Sequence, residues 1–118
     1  MDKIRIDGHR KVTKVTRIFT ASKDGWRAKD FHAFCDNKGP TLCLIRSSEN
    51  FLAGGFTSKP WTSANYVYVE DASAMVFALT NDLQVFKPGK PKKAVWHNIY
   101  SGPNFYGALA LWSYPMNN

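Results

Sequence analysis

The run "DGWRAKDFHAFCDNKGPTL", Asp24 to Leu42, decides how this chain reads. It holds His32, Cys35 and three aspartates among apolar residues, so it suits either a Cys–His reactive centre or a helix that closes a core. Ala28, Phe31, Phe34 and Cys35 fall at i, i+3, i+6 and i+7, one apolar stripe on a helix of about three turns. Lys29, Asp30, Ala33 and Asp36 mostly fill the other face, which places the helix at about residues 27–37. "NKGP" stops it: Gly39 suits a left-handed residue just past the last turn, and Pro40 cannot continue a helix. "SKDG" before it is turn chemistry, with Gly25 free to take positive φ. Arg27 stands where a capping side chain belongs, which leaves Asp24 as the candidate cap.

Outward from this helix the period changes to two. "KVTRIFTA" (14–21) is β-branched and reads as a strand, as do "TLCLIRS" (41–47) and "FLAGGFT" (51–57). "NYVYVED" (65–71) alternates more weakly, and "AMVFALTN" (74–81) is apolar enough for a strand covered on both faces. "LQVF", "AVWHNIY" and "ALALWSY" follow, separated by Gly, Pro, Asn or Lys. About seven strands with one good helix predict an α+β fold, mainly antiparallel β, as a sandwich or a partly open barrel with one flanking helix. The Gly54–Gly55 pair inside a strand marks a bulge or a place where a large ring lies close.

A chain of 118 residues with 44% hydrophobic and 14% aromatic content can bury a core and makes one domain. No apolar run reaches the roughly 20 residues of a membrane span, and the polar N-terminus lacks the centre of a signal peptide. A soluble, cytoplasmic protein is expected, with Cys35 and Cys43 as reduced thiols. The net charge of +7 is concentrated: residues 1–17 carry six Lys/Arg against two Asp, and "KPGKPKK" carries Lys87, Lys90, Lys92 and Lys93 with no acid. Those four lysines are the candidate contacts for an anionic partner. Single-strand binders interleave stacking aromatics with basic residues. Here the aromatics lie in strands and the lysines in loops, so nucleic acid is disfavoured and an aromatic core is expected.

Chemistry is thinly marked. Cys35 shares the apolar stripe, where a thiol is inert, while His32 lies one step off it and is expected near the surface. The histidines and cysteines show no C-x-x-C and no H-x₃₋₅-H spacing, so no metal is expected. Glu70 and Asp71 adjoin, but strand neighbours point to opposite faces. No phosphate-binding glycine loop or nucleophile elbow occurs. No catalytic residue and no cofactor follow from these residues.

Five motifs in order carry a resemblance. Asp24–Gly25 precede the helix, and Phe31, Cys35, Asp36, Gly39, Pro40 and Thr41 form an F-H-x-x-C-D-x-K-G-P-T signature. Gly54–Thr57 with Pro60–Trp61 follow, then Phe77–Asn81, and Gly102–Pro103. From about Arg17 to Trp112 the sequence resembles a TLDc domain, the module of the oxidation-resistance proteins. The resemblance implies a single domain over residues 15–118 behind a basic N-terminal arm at 1–14. It also implies a β-sandwich with flanking helices, no established catalytic residue, and signature positions that are structural. In function it implies a non-enzymatic protein-interaction module, linked to oxidative-stress resistance or to regulation of the vacuolar-type proton pump. The alternative class is a basic, β-rich binder of nucleic acid or anionic surfaces. Ala53 and Arg27 depart from the family pattern, as does the single Gly107 after Phe105. Family domains continue for further strands, whereas this chain stops at Asn118, so either the fold closes with fewer strands or a C-terminal edge strand pairs in a homodimer or by strand exchange.

Overall fold

A computed structural model describes residues 4–6, 10–12, 14–105 and 109–112, with side chains at 14–105 and 109–110. The basic N-terminal stretch contains β1 (Ile4–Ile6) and β2 (Arg10–Val12), an antiparallel pair with Arg5 opposite Lys11. Residues 14–20 then run without regular structure, so the strand expected over 14–21 is not formed. A short helix, α1 (Ala21–Asp24), replaces the turn expected there. The Asp24 carboxylate accepts the Thr20 backbone N–H at 2.9 Å, which closes the chain into a helical turn. Phe19 is held by its ring, 6.0 Å from Phe31 and 5.9 Å from Phe34, rather than by a strand ladder.

The main helix, α2, spans Ala28–Cys35. Its N-cap is Arg27, and the cap acceptor is Asp30 rather than Asp24: the Asp30 carboxylate takes the Arg27 backbone N–H at 3.1 Å and its Nε–H at 3.2 Å. The cap is one-sided, because a guanidinium offers no acceptor for the backbone N–H of the first turn. The Arg27 side chain, then its backbone N–H, holds the Asp30 carboxyl below the ordinary aspartate value. At the other end the left-handed residue is Asn37, with φ of 60°, and not Gly39. Asn tolerates that conformation, and the Asn37 N–H donates to the Trp61 carbonyl at 2.8 Å. The helix therefore stops where the chain leaves to meet Trp61.

Eight further strands follow: β3 (Thr41–Arg46), β4 (Leu52–Thr57), β5 (Val67–Val69), β6 (Met75–Ala78), β7 (Gln84–Phe86), β8 (Val95–His97), β9 (Ser101–Phe105) and β10 (Leu109–Trp112). They form two antiparallel four-stranded sheets, ordered β3-β4-β6-β7 and β10-β9-β8-β5. The expected α+β, mainly β architecture with one substantial helix is the one observed. Strand β9, which the sequence shows only as the motif "SGPNF", lies inside the second sheet. Pro103 sits where the β9–β10 register shifts, between the Asn104–Ala110 and Ser101–Trp112 pairs, so its missing N–H interrupts no ladder rung.

The core joins α2 to both sheets through Phe31, Cys35, Trp61, Ala74, Ala94, Val95 and Phe105. The Trp61 indole lies edge-on to Phe31 at 5.6 Å and to Phe105 at 5.7 Å, and its Nε1–H donates to Thr41 Oγ1 at 2.9 Å. Gly55 explains why the strand carries a glycine pair: a Cβ there would lie 2.5 Å from the Phe105 ring of the opposite sheet. On the other face of β4, a Cβ on Gly54 would meet the Cys43 backbone carbonyl first and then the Phe77 ring at 2.9 Å. Strand β6 is half-buried throughout rather than covered on both faces, since an antiparallel sheet turns one face to the core and one outward.

Candidate functional site

The residues that could carry chemistry meet at a polar seam between α2, the segment after Trp61 and the β8–β9 turn. His32 is buried there, 6% exposed, contrary to its expected surface position. The inward stripe of α2 is Ala28, Phe31, His32 and Cys35, spaced i, i+3, i+4 and i+7, and Phe34 faces solvent instead. That spacing is the better helical face and is present in the sequence; the polarity of histidine hides it. His32 Nδ1 lies 2.7 Å from Asp36 Oδ1, while Nε2 donates to the carbonyls of Asn98 at 3.0 Å and Ser101 at 2.9 Å. The Ser63 hydroxyl donates to the other Asp36 oxygen.

This arrangement clamps α2 to the β8–β9 turn. The order is Ser–Asp–His, so the hydroxyl meets a carboxylate and has no imidazole to take its proton. His32 Nε2 is engaged by two carbonyls and offers no lone pair. Cys35 is buried, and desolvation, then the neighbouring Cys43, pushes its thiol up to about 12. Cys43 is pushed up to about 11 by burial. Neither thiol reaches the thiolate form that nucleophilic chemistry needs.

A second buried histidine, His97, pairs its Nδ1 with the Thr62 hydroxyl at 2.8 Å. Burial, opposed by Asp36 and reinforced by His32, holds its imidazole below the ordinary value. Its Nε2 and the Asn98 Nδ2 have no hydrogen-bond partner among the described residues. A separate polar knot forms at Asp71, which accepts from Thr57 Oγ1 at 2.6 Å, Ser58 N at 2.7 Å, Ser58 Oγ at 2.8 Å and Ser73 N at 3.0 Å. In the sequence Asp71 is visible only as the neighbour of Glu70, and nothing there points to the hydroxyls of Thr57 and Ser58 that it accepts from. Among the described residues no three His, Cys, Asp or Glu side chains gather to hold a metal ion.

The signature residues take structural places. Asp24 closes α1, and Gly25, at φ of 124°, lies so close to Asp30 that a Cβ would fall on its carboxylate. Phe31, Cys35 and Trp61 are core, and Thr41 accepts the Trp61 indole. Asp36 forms the seam, Gly54 and Gly55 admit rings, and Phe77 covers Gly54. Pro40 and Gly39 are exposed ahead of β3, and Gly102 and Pro103 lie in β9.

Lys87, Lys90, Lys92 and Lys93 are all exposed on the segment between β7 and β8, which includes a 3₁₀ turn at Pro91–Lys93. The Asp71 N–H donates to the Pro91 carbonyl at 2.9 Å and fixes that turn to the fold. The tryptophans divide: Trp61 is core, Trp96 is half-buried on an outer sheet face, and Trp26 is 78% exposed. The aromatic core expected from the sequence holds for Trp61 but not for Trp26.

Two antiparallel sheets, a helix packed against the core and signature residues in packing positions define an α+β, mainly β domain. The chain belongs to the TLDc domain family, whose model it matches over residues 3–111. No curated protein and no solved structure matches it. Among the described residues no helix is long and apolar enough to cross a membrane.

Proposed function

We propose that this TLDc domain is a non-enzymatic interaction module of the cytoplasm whose partner is a protein, with subunits of a vacuolar-type proton pump the first candidates and oxidative-stress resistance the setting. One observation carries the protein-binding reading. On the outer face of the first sheet, Leu44, Phe77 and Val85 share one rung with Gly54 across β3, β4, β6 and β7, and Leu42 and Met75 flank the buried Phe56 on the next. Leu44 is 60% exposed, and Leu42 and Val85 are exposed beside it. Contiguous apolar side chains on a sheet face favour docking over solvation. The TLDc family is generally not catalytic, and the clamped His32 and protonated Cys35 agree with that. The pump assignment rests on family membership alone.

The test is a pull-down from lysate with Leu44→Asp and Val85→Asp as paired controls. Co-purification of pump stalk subunits that both substitutions abolish supports the reading. Their absence with the unaltered domain removes the pump, and capture that both variants retain removes this face.

A further inference from the structure

The fold brings together what the sequence keeps apart. Tyr68 of β5 lies directly opposite Trp96 of β8, on the solvent face of the second sheet. Their rings are near parallel, 29° apart with centroids at 6.3 Å, and Tyr66 adds a third ring 5.5 Å from Trp96 at 35°. Lys93 places its Nζ 5.1 Å from the Tyr68 centroid, and Lys90 and Lys92 project from the same fixed turn. The two tyrosines remain accessible, Tyr66 at 62% and Tyr68 at 43%.

Tyr66 also occupies a left-handed backbone conformation, with φ of 56°. A bulky side chain there is strained, and such strain persists where the position of the side chain is used. The Tyr66 ring lies outside the core, so the strained backbone serves to set it beside Trp96.

We infer that the Tyr66–Trp96–Tyr68 ladder and its lysines bind single-stranded nucleic acid, bases stacking on the exposed tyrosine surface and phosphates meeting Lys90 and Lys92. Planar rings recognise planar rings, and every base offers one, so the contact needs no sequence. The lysines complement a phosphate backbone, and Lys93 is already oriented by its cation–π contact. An acidic peptide would use the lysines but would leave the ladder idle. The site is independent of the proposed protein-binding face, which lies on the other sheet.

The experiment is fluorescence anisotropy of a labelled oligothymidylate of about ten nucleotides titrated with the full chain at several salt concentrations. Tyr66→Asn removes the ring while placing a residue that accepts positive φ, and is expected to weaken binding about tenfold with the salt slope unchanged. Lys90→Ala with Lys92→Ala is expected to lower the slope by roughly 0.7 per lysine. Tyr66→Phe is expected to bind like the parent, which keeps the test valid if the Asn variant folds poorly. No binding at low salt overturns the proposal. So does a Tyr66→Asn variant that binds like the parent, or a polyglutamate peptide that competes as well as the oligonucleotide.

Discussion

Trp61 and Thr41 are joined by a hydrogen bond of 2.9 Å from the indole Nε1–H to the hydroxyl, across the start of β3 and the middle of the core. The bond gives a buried polar atom its partner while both rings edge-on to the indole keep their contacts. Trp61→Ala is expected to lower stability by about 3–5 kcal/mol, and Thr41→Val by about 1 kcal/mol. In Trp61→Phe, adding Thr41→Val should cost markedly less than it does in the parent. Urea denaturation of the four proteins measures this, and equal costs in both backgrounds would remove the bond from the account.

Gly55 admits the Phe105 ring between the sheets. Gly55→Ala is expected to destabilise by about 1–3 kcal/mol through overpacking. Phe105→Leu alone also destabilises, but combined with Gly55→Ala the losses should be less than additive. Thermal melts of the single and double variants test it; strict additivity would mean that the ring avoids the new methyl some other way.

Asp71 makes the domain sensitive to acid. Burial alone would raise its carboxyl, but hydrogen bonds from Thr57, Ser58 and Ser73 prevail and hold it below 3.8. A carboxyl lowered by folding contributes stability that is full above its unfolded value and lost as pH falls through that value toward the folded one. Asp71→Asn should therefore destabilise at neutral pH, by about 1–3 kcal/mol, and show a smaller further loss in acid. Denaturant midpoints at a series of pH values measure both, and parallel curves for variant and parent would refute the assignment.

His97 acts in a higher window. Its imidazole is held below 6.5, so the unfolded chain takes up a proton before the folded one does. Stability attributable to it is full above the unfolded value and declines as pH falls from there toward the folded value. His97→Gln should flatten the stability curve between about pH 7 and pH 5. An unchanged slope in the variant would assign the titration elsewhere.

Cys35, with its thiol near 12 and its side chain buried, should react slowly. From the pKa alone, a disulfide reagent at neutral pH should modify it on the order of a thousandfold more slowly than an ordinary thiol. Cys43→Ser protein isolates the signal, and labelling in urea provides the fast reference. Rapid labelling of the folded variant would return the Cys–His pair to consideration as a reactive centre.

Much of this fold was legible because local chemistry and tertiary packing agree. The two-residue period of "TLCLIR" survives as the alternating exposure of β3, and "LAGGFT" forms β4, whose last four residues are all buried. Glycine pairs announce close rings, and Phe105 and Phe77 supply them. The failures have a common cause in long-range polar contacts. His32 lies on the better helical face, but its polarity masks that position, and the carbonyls 66 and 69 residues away that accept from it are not visible in local sequence. Residues 14–20 have strand composition but are held by the Phe19 ring, and composition cannot distinguish the two. The cross-strand meeting of Tyr68 and Trp96 needed the β5–β8 pairing, joining segments with three other elements between them. Asn37 took the left-handed position expected of Gly39 because its N–H had a carbonyl to meet two residues sooner.

The His32 clamp bears on the order in which the molecule can assemble. An isolated helix of eight residues is too short to persist in water. The carbonyls that anchor α2 belong to Asn98 and Ser101, and Phe105, which shares its core cluster, comes later still. Closing so long a loop is entropically expensive and is rewarded only when both ends are present. On a ribosome, then, α2 must wait for the later-made β8–β9 segment, and a chain interrupted before Ser101 would leave the signature segment synthesised but without its full anchor.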